Sequence, residues 1–311
     1  MAAGNALVTG GAGFIGSQVV RNLLARGWQV TVLDNLSMGR RENVPLEADL
    51  VVGDVLDAQV ARRLAQRADV IFHLAAVVSV RASIEQFVQD AQTNLMGTLT
   101  LLEAAARAGV GRFVYASSMA VYADSPTPTP IPESYRTQPL SPYGIAKLAA
   151  EQYVHTLAAQ FGFESVVLRY FNTYGSGQRF TPYVGVITIF CQRLLAGLPP
   201  TIFGDGEQRR DFVHVDDVAG ATLAALQAPT GATCNVGSGR ATSVNEIAAL
   251  LISRINPKIG PAYAPAPPGE LRNSIADITA ARQLLGYEPQ RSLATHIDEV
   301  IEWNRRLTPT V

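Results

Sequence analysis

Cysteine is nearly missing from this chain: Cys191 and Cys234 are the only two in 311 residues, they lie far apart, and neither belongs to a reactive motif. A disulfide framework is excluded, and both thiols read as small buried hydrophobes in a reducing compartment. An excess of charge is missing as well. Lys and Arg total 25 against 26 Asp and Glu, for a formal net charge of −1. That removes any global pull towards nucleic acid or an anionic membrane, so an anionic ligand has to be held by local cations. No apolar run approaches the ~20 residues of a membrane-spanning helix. No leader-like core precedes the first strand, which glycines interrupt. The expectation is a soluble, cytoplasmic protein without nucleic-acid or membrane partners. Charged residues make up only 16% and apolar residues 48%, which excludes disorder. At ~150 residues per domain the length predicts about two domains.

What is present is an alternation. Short Val/Ile/Leu-rich runs predict strands at 5–9, 29–33, 50–52, 70–73, 113–116 and 164–169. Between them, helices are predicted over 14–26 (ended by Gly27), near 58–66 and over 83–108 (stopped by Gly109). Continuous apolar strands separated by helices predict an α/β fold: a doubly wound, Rossmann-type parallel sheet covered on both faces. Residues 124–142 contain six prolines and read as an ordered loop leading into a helix. After Gly175 the texture changes to shorter elements with more Pro, Gly and aromatics, and 257–269 is again Pro-rich. The division predicted is residues 1–175, mainly the large sheet, and 176–311, mainly a smaller α/β region that binds substrate, with some exchange of chain between them.

Gly10, Gly13 and Gly16 punctuate the first strand–helix turn. Missing side chains there let a pyrophosphate approach the first N–H groups of the helix. Asp34, ending the second strand, is placed to accept from adenosine ribose hydroxyls and to repel a 2′-phosphate, which favours NAD over NADP. Asp54 and Val55 follow the third strand, where Asp54 suits either the adenine amino group or a helix cap. Leu74, Ala75 and Ala76 follow the fourth strand and leave room for a cofactor. His73, on that apolar strand, reads as a core histidine. Asn94 reads as a buried amide ordering a nearby loop or water.

Tyr143 and Lys147 stand four apart, on one helix face. A free phenol has a pKa near ~10. A neighbouring ammonium is expected to lower it, giving an acid/base pair suited to taking a proton from an alcohol as hydride leaves its carbon.

Taken together, Gly10–Gly16, Asp34, Asp54, Leu74–Ala76, Ser117–Ser118, Tyr143/Lys147, Arg169-Tyr170-Phe171-Asn172, the run from Gly204 to Val215 and the segment from Gly269 to Asp277 resemble the extended short-chain dehydrogenase/reductase superfamily. Within it the chain is similar to NAD-dependent nucleotide-sugar epimerases, especially UDP-hexose 4-epimerases. The resemblance implies cofactor contacts from Gly10, Gly13, Phe14, Ile15, Gly16, Asp34, Asn35, Asp54, Val55, Leu74, Ala75, Ala76, Asn94, Ser117, Tyr143, Lys147 and Tyr170. It implies that Ser118 bonds the sugar 4-hydroxyl, that Tyr143 is the base, and that Lys147 is its electrostatic partner. On the substrate side it implies Asn172 near the diphosphate, Arg210 on the phosphates, Phe203 stacked on uracil and Glu270 on the uridine ribose. The family usually carries an Arg where Pro267 stands, so Arg272 is the candidate replacement. Ser274 stands where hexose-specific relatives often have Tyr, which leaves room for an N-acetyl group at C2. A homodimer through the helix before Gly109 and the helix of Tyr143 is implied as well.

The expected reaction is therefore C4 epimerisation of UDP-glucose/UDP-galactose, extended to UDP-GlcNAc/UDP-GalNAc, through a 4-keto sugar, with no metal. His214, Asp216 and Asp217 read as a strand end and a helix cap. Met119-Ala120 stand where 4,6-dehydratases carry acidic residues and UDP-glucuronate decarboxylases a Glu. A UDP-glucuronate 4-epimerase, a 4-ketoreductase and a non-catalytic dinucleotide sensor are the competing readings, and the last typically lacks the Tyr/Lys pair.

Overall fold

The computed structural model describes residues 3–180, 185–266 and 271–307. Six of the seven strands of its main sheet come before residue 175: β1 (Asn5–Thr9), β2 (Gln29–Asp34), β3 (Asp49–Val52), β4 (Val70–His73), β5 (Arg112–Ser118) and β6 (Glu164–Tyr170). Between them lie α1 (Phe14–Leu24), α2 (Ala58–Ala65), α3 (Val80–Glu85), α4 (Phe87–Ala91), α5 (Gly97–Ala108) and α6 (Pro142–Phe161). The second half contributes β7 (Asn172–Tyr174), β8 (Thr201–Phe203), β9 (Arg209–His214), β10 (Ala232–Val236), β11 (Ala241–Ser243), β12 (Ala262–Ala264) and β13 (Asn273–Ser274). Its helices are α7 (Val186–Leu195), α8 (Val215–Ala224), α9 (Val244–Ile255), α10 (Thr279–Leu285) and α11 (Leu293–Leu307).

The main sheet runs β3-β2-β1-β4-β5-β6-β10, and every pairing is parallel. Because both faces are covered, its strands bury residues on both sides: all four of β4 are buried, as are Ser165 to Tyr170 of β6. α1 presents Gly16, Val19, Val20 and Leu23 to the sheet at helical spacing. Full burial of one such aliphatic side chain stabilises by roughly 1.5–3 kcal/mol. β10 comes from the C-terminal half, so the chain returns to the large sheet after building β9. A separate small core gathers Tyr174, Ile187, Phe190, Ile202, Phe212, Ile247 and Ile297.

Strand order reverses at β1, between β4 and β2, and a doubly wound sheet binds ligands at such a point, beyond the carboxyl ends of its strands. Gly10, Asp34, Leu74, Ser118 and Tyr170 all stand at that edge, and the β5–β6 register sets Ser118 beside Tyr170.

The helix expected over 83–108 is broken. It becomes α3, α4, a π-helical stretch Gln92–Met96 and α5, which ends at Gly109 in the left-handed conformation. Apolar periodicity cannot reveal such a bulge. Extra residues of this kind gather at functional sites, and this one carries Asn94. α8 starts at Val215, capped by His214, whose Nδ1 accepts from the Asp216 N–H. The proline-rich stretch 124–141 holds no helix or strand, only bridges of Ser125 to Asn273 and Ile131 to Ala276.

Candidate active site

The turn after β1 closes on itself. A Cβ on Gly16 would lie 2.1 Å from the Gly10 carbonyl oxygen, so no larger residue fits there. α1 begins at Gly13 without a side-chain cap and without an acidic residue in its first turn. Its first N–H groups are thus left for an anion. Phe14 and Ile15 form that first turn, half-buried.

Asp34 is 8% exposed, and its two oxygens accept from the backbone N–H of Ala12 (3.0 Å) and Leu36 (2.8 Å). Each oxygen retains a lone pair for a hydroxyl donor. Leu36 is the only non-glycine with positive φ among the described residues (58°), and its bond to Asp34 holds that conformation. Asn35 donates to Asp54 at 2.9 Å, joining the ends of β2 and β3. The cap of α2 is Asp57, not Asp54. Val55 is buried in the core beneath Gly97. Uncapped helix, tight turn and Asp34 fit an adenine dinucleotide.

Beyond β4, the Ala75 N–H donates to Thr9 (3.2 Å), and Leu74 and Ala76 are half-buried in the same loop. Asn94 clamps this loop: its amide bonds both the N–H and the C=O of Val77, each at 3.0 Å. His73 is fully inside, between Thr9 (2.7 Å) and Thr98 (2.9 Å), and burial drives its pKa down to about 3. It is a neutral core histidine.

α6 carries Tyr143 and Lys147. Ser141 caps it, accepting from Gly144 N at 3.2 Å, and Pro142 starts it. A Cβ on Gly144 would stand 2.3 Å from the Ala120 carbonyl, so the helix start rests directly on the segment after Ser118. The buried stripe of α6 then reads Tyr143, Ala146, Lys147, Ala150, Glu151 and Val154. A phenol, an ammonium and a carboxylate occupy positions where an ordinary core helix would carry aliphatics.

The Lys147 ammonium donates to the Ala116 carbonyl at 2.8 Å and lies 4.9 Å from the Tyr115 ring centroid and 5.9 Å from that of Tyr143. Burial lowers its pKa to about 8, against the fields of Asp90 and Glu151. Burial likewise pushes the Tyr143 phenol up to about 12, with a hydrogen bond from Ser118 working the other way. Desolvation thus outweighs the lowering expected from Lys147, one of whose three N–H donors is given to the Ala116 carbonyl. Ser118 Oγ also accepts from Ala120 N at 3.2 Å. The Ser117 hydroxyl turns the other way and donates to Glu151 at 2.5 Å.

That contact opens a network the sequence reading overlooked. Arg169 grips Glu151 with two bonds, 3.0 and 2.7 Å, and also donates to Tyr122 OH (2.9 Å) and to the Glu133 carbonyl (3.0 Å). Tyr122 donates to Asn235 at 2.6 Å, and Asn235 N donates to Glu133 at 2.7 Å. β5, β6, β10, α6 and the proline-rich loop are thereby tied together around the pair. The signal was the spacing: Glu151 stands one helical turn past Lys147.

Tyr170, expected beside the cofactor, is buried with its hydroxyl on Thr222 (2.7 Å), and Asn172, expected near the diphosphate, donates to the Asp211 carbonyl (3.3 Å). Phe203 is 38% exposed and so is not a core residue; the Arg81 guanidinium stands 5.9 Å over its ring. Arg210 donates to the Leu271 carbonyl at 2.6 Å. The Arg272 guanidinium makes a forked pair with Asp205, 2.8 and 3.0 Å. Ser274 is buried and donates to Met119 Sδ at 3.1 Å, which brings β13 against the residue after Ser118. Pro267 and Glu270 lie outside the described residues.

A UDP-glucose 4-epimerase of Mycolicibacterium smegmatis is 39% identical over 306 residues, covering 96% of this chain and 98% of that protein. The crystal structure of a UDP-glucose 4-epimerase with UDP-glucose from Thermotoga maritima superposes with a TM-score of 0.94 at 40% identity, over 97% of this chain and 99% of that one. The UDP-glucose 4-epimerase of Thermus thermophilus, in complex with NAD, gives 0.90 at 37% identity over 97% and 99%. A family model describing NAD dependent epimerases and dehydratases matches residues 6–237, three-quarters of the length, and the chain belongs to the NAD dependent epimerase/dehydratase family.

Proposed function

We propose that this protein interconverts the C4 epimers UDP-glucose and UDP-galactose through a transient 4-keto sugar, with NAD as its cofactor. The observation that carries the reading is the meeting of Ser118, Tyr143 and Lys147 at the same carboxyl edge of the sheet as the Gly16 turn, in a chain similar almost end to end to UDP-glucose 4-epimerases. Held at the Gly16 turn and Asp34, NAD would supply the hydride acceptor for sugar C4 and the donor for the return transfer. Asp34 selects the unphosphorylated ribose, with Asn35, Asp54, Asn94 and the loop at Leu74–Ala76 shaping the pocket around it. Ser118 bonds the 4-hydroxyl; Tyr143 takes its proton and later gives it back. Lys147 balances the phenolate. Because burial alone disfavours that phenolate, the Lys147 charge must add to the stabilisation that the Ser118 bond begins.

Arg210 and Asn172 serve the diphosphate, and the exposed ring of Phe203 the uracil. For Arg272 to join the phosphate clamp, its pair with Asp205 would first have to open. Ser274, small and set against Met119, supports acceptance of UDP-GlcNAc/UDP-GalNAc as well. Ile145, Tyr153 and Phe161 of α6 and Phe87, Val88 and Met96 before α5 are exposed apolar residues, which supports a homodimer through these helices. Two buried free cysteines suit the cytoplasm. Separate incubation with UDP-glucose, UDP-GlcNAc and UDP-glucuronate, followed by proton NMR of the C4 stereochemistry, tests the assignment. Turnover of the first supports it, and turnover of UDP-glucuronate alone would replace it.

A further inference from the structure

Four charged side chains are buried around α6, and they sort into two pairs. Glu151 is 2% exposed and Arg169 6%, and they grip each other directly. Lys147 is 3% exposed and Asp90 2%, and neither has a direct ionic partner among the described residues. Asp90 lies on α4, which packs against α6. One of its oxygens accepts from Asn94 Nδ2 at 2.8 Å; the other, Oδ2, is buried without any hydrogen-bond partner among the described residues. A buried carboxylate with an idle oxygen is costly unless an opposite charge stands nearby. Since Arg169 is committed to Glu151, the opposite charge is the Lys147 ammonium.

We propose that Asp90 is a positioning residue of the Tyr143–Lys147 pair: its carboxylate, acting across space, is the counter-charge that keeps Lys147 an ammonium inside the protein. The groups facing Lys147 are Asp90 from α4, Tyr143 and Glu151 from α6, Tyr115 from β5 and His73 from β4. His73 is neutral, Tyr115 is held protonated by its burial, and Glu151 is already paired. Asp90 accordingly supports the ammonium more than Glu151 does. Asp90 also fixes Asn94, so the charge that tunes Lys147 and the clamp on the loop after β4 share one side chain.

The catalytic half of this inference rests on the epimerase reading; the charge pairing does not. The test uses the full chain with NAD and three variants: Asp90→Asn, Lys147→Met and the two together. Asp90→Asn keeps the shape and the acceptor for Asn94. Removing the anion makes the ammonium easier to deprotonate, so the alkaline limb of kcat/KM should move down by roughly one pH unit, with kcat/KM at pH 8 falling roughly fivefold. Lys147→Met leaves Asp90 unpaired, so the double variant should melt above Lys147→Met alone. An unmoved alkaline limb, or melting losses that simply add, would overturn the proposal. If Asp90→Asn fails to fold, the comparison of Lys147→Met with the double variant still decides. If the wild type turns over no UDP-hexose, the functional reading falls, while the melting cycle still reports on Asp90.

Discussion

Replacing Glu151 by Gln should destabilise this protein more than almost any other change of equal size. Glu151 and Arg169 are both almost fully buried, and three short bonds converge on the carboxylate, two from Arg169 and one from Ser117. Gln keeps the volume and one acceptor but removes the charge, leaving a guanidinium inside the protein without its partner. Breaking a buried pair in this way costs about 3–5 kcal/mol. An unfolding entropy of roughly 2.1 cal/mol/K per residue makes roughly 0.65 kcal/mol/K for the whole chain, which converts that loss into a fall of about 5–8 °C in Tm. Circular dichroism melts of Glu151→Gln, Arg169→Met and Glu151→Leu/Arg169→Met check this. The double variant, with both charges gone, should recover much of the loss. A single-variant fall under about 2 °C, or a double variant as unstable as the two losses combined, would refute the idea that charge complementarity holds β5 and β6 to α6.

Gly16→Ala must force the β1–α1 turn apart, because the new methyl group would meet the Gly10 carbonyl at 2.1 Å; NAD affinity measured by calorimetry should fall more than about tenfold, with a stability loss of about 1–3 kcal/mol. Ser274→Tyr fills the space beside Met119; turnover of UDP-GlcNAc should fall selectively, and equal losses with UDP-glucose would remove the N-acetyl reading. Lys147 loses its proton near pH 8 in the free protein, so kcat/KM for UDP-glucose should decline as pH rises through about 8, and a flat profile to pH 9.5 would contradict the lysine's role.

The large sheet was legible because its strands are buried on both faces: short apolar cores at 6–8, 70–72 and 166–168 recur between helical stretches. Gly10–Gly16, Asp34 and the Tyr143/Lys147 spacing pointed to one edge of that sheet, where the structure has all of them. The break between Glu85 and Gly97 was not legible, since no Gly or Pro between them marks the kink at Gln86 or the π-helical stretch. Asp90 and Glu151 escaped for a related reason. A carboxylate one turn from Asn94 or from Lys147 looks like a solvated helix face until the packing buries it. The direction of the Tyr143 shift also escaped, because sequence spacing supplies the neighbouring ammonium but not the desolvation that outweighs it.

The most direct measurement is turnover of UDP-galactose by Tyr143→Phe with NAD bound, beside its melting curve. Loss of the phenol oxygen removes the group assigned to carry the 4-hydroxyl proton, so kcat should fall by roughly 10²–10⁴-fold while Tm shifts by no more than a single lost hydrogen bond allows, about 1–2 °C. A variant that keeps turnover within tenfold of wild type, properly folded and loaded with NAD, would contradict the assignment of Tyr143 as the proton-transfer group.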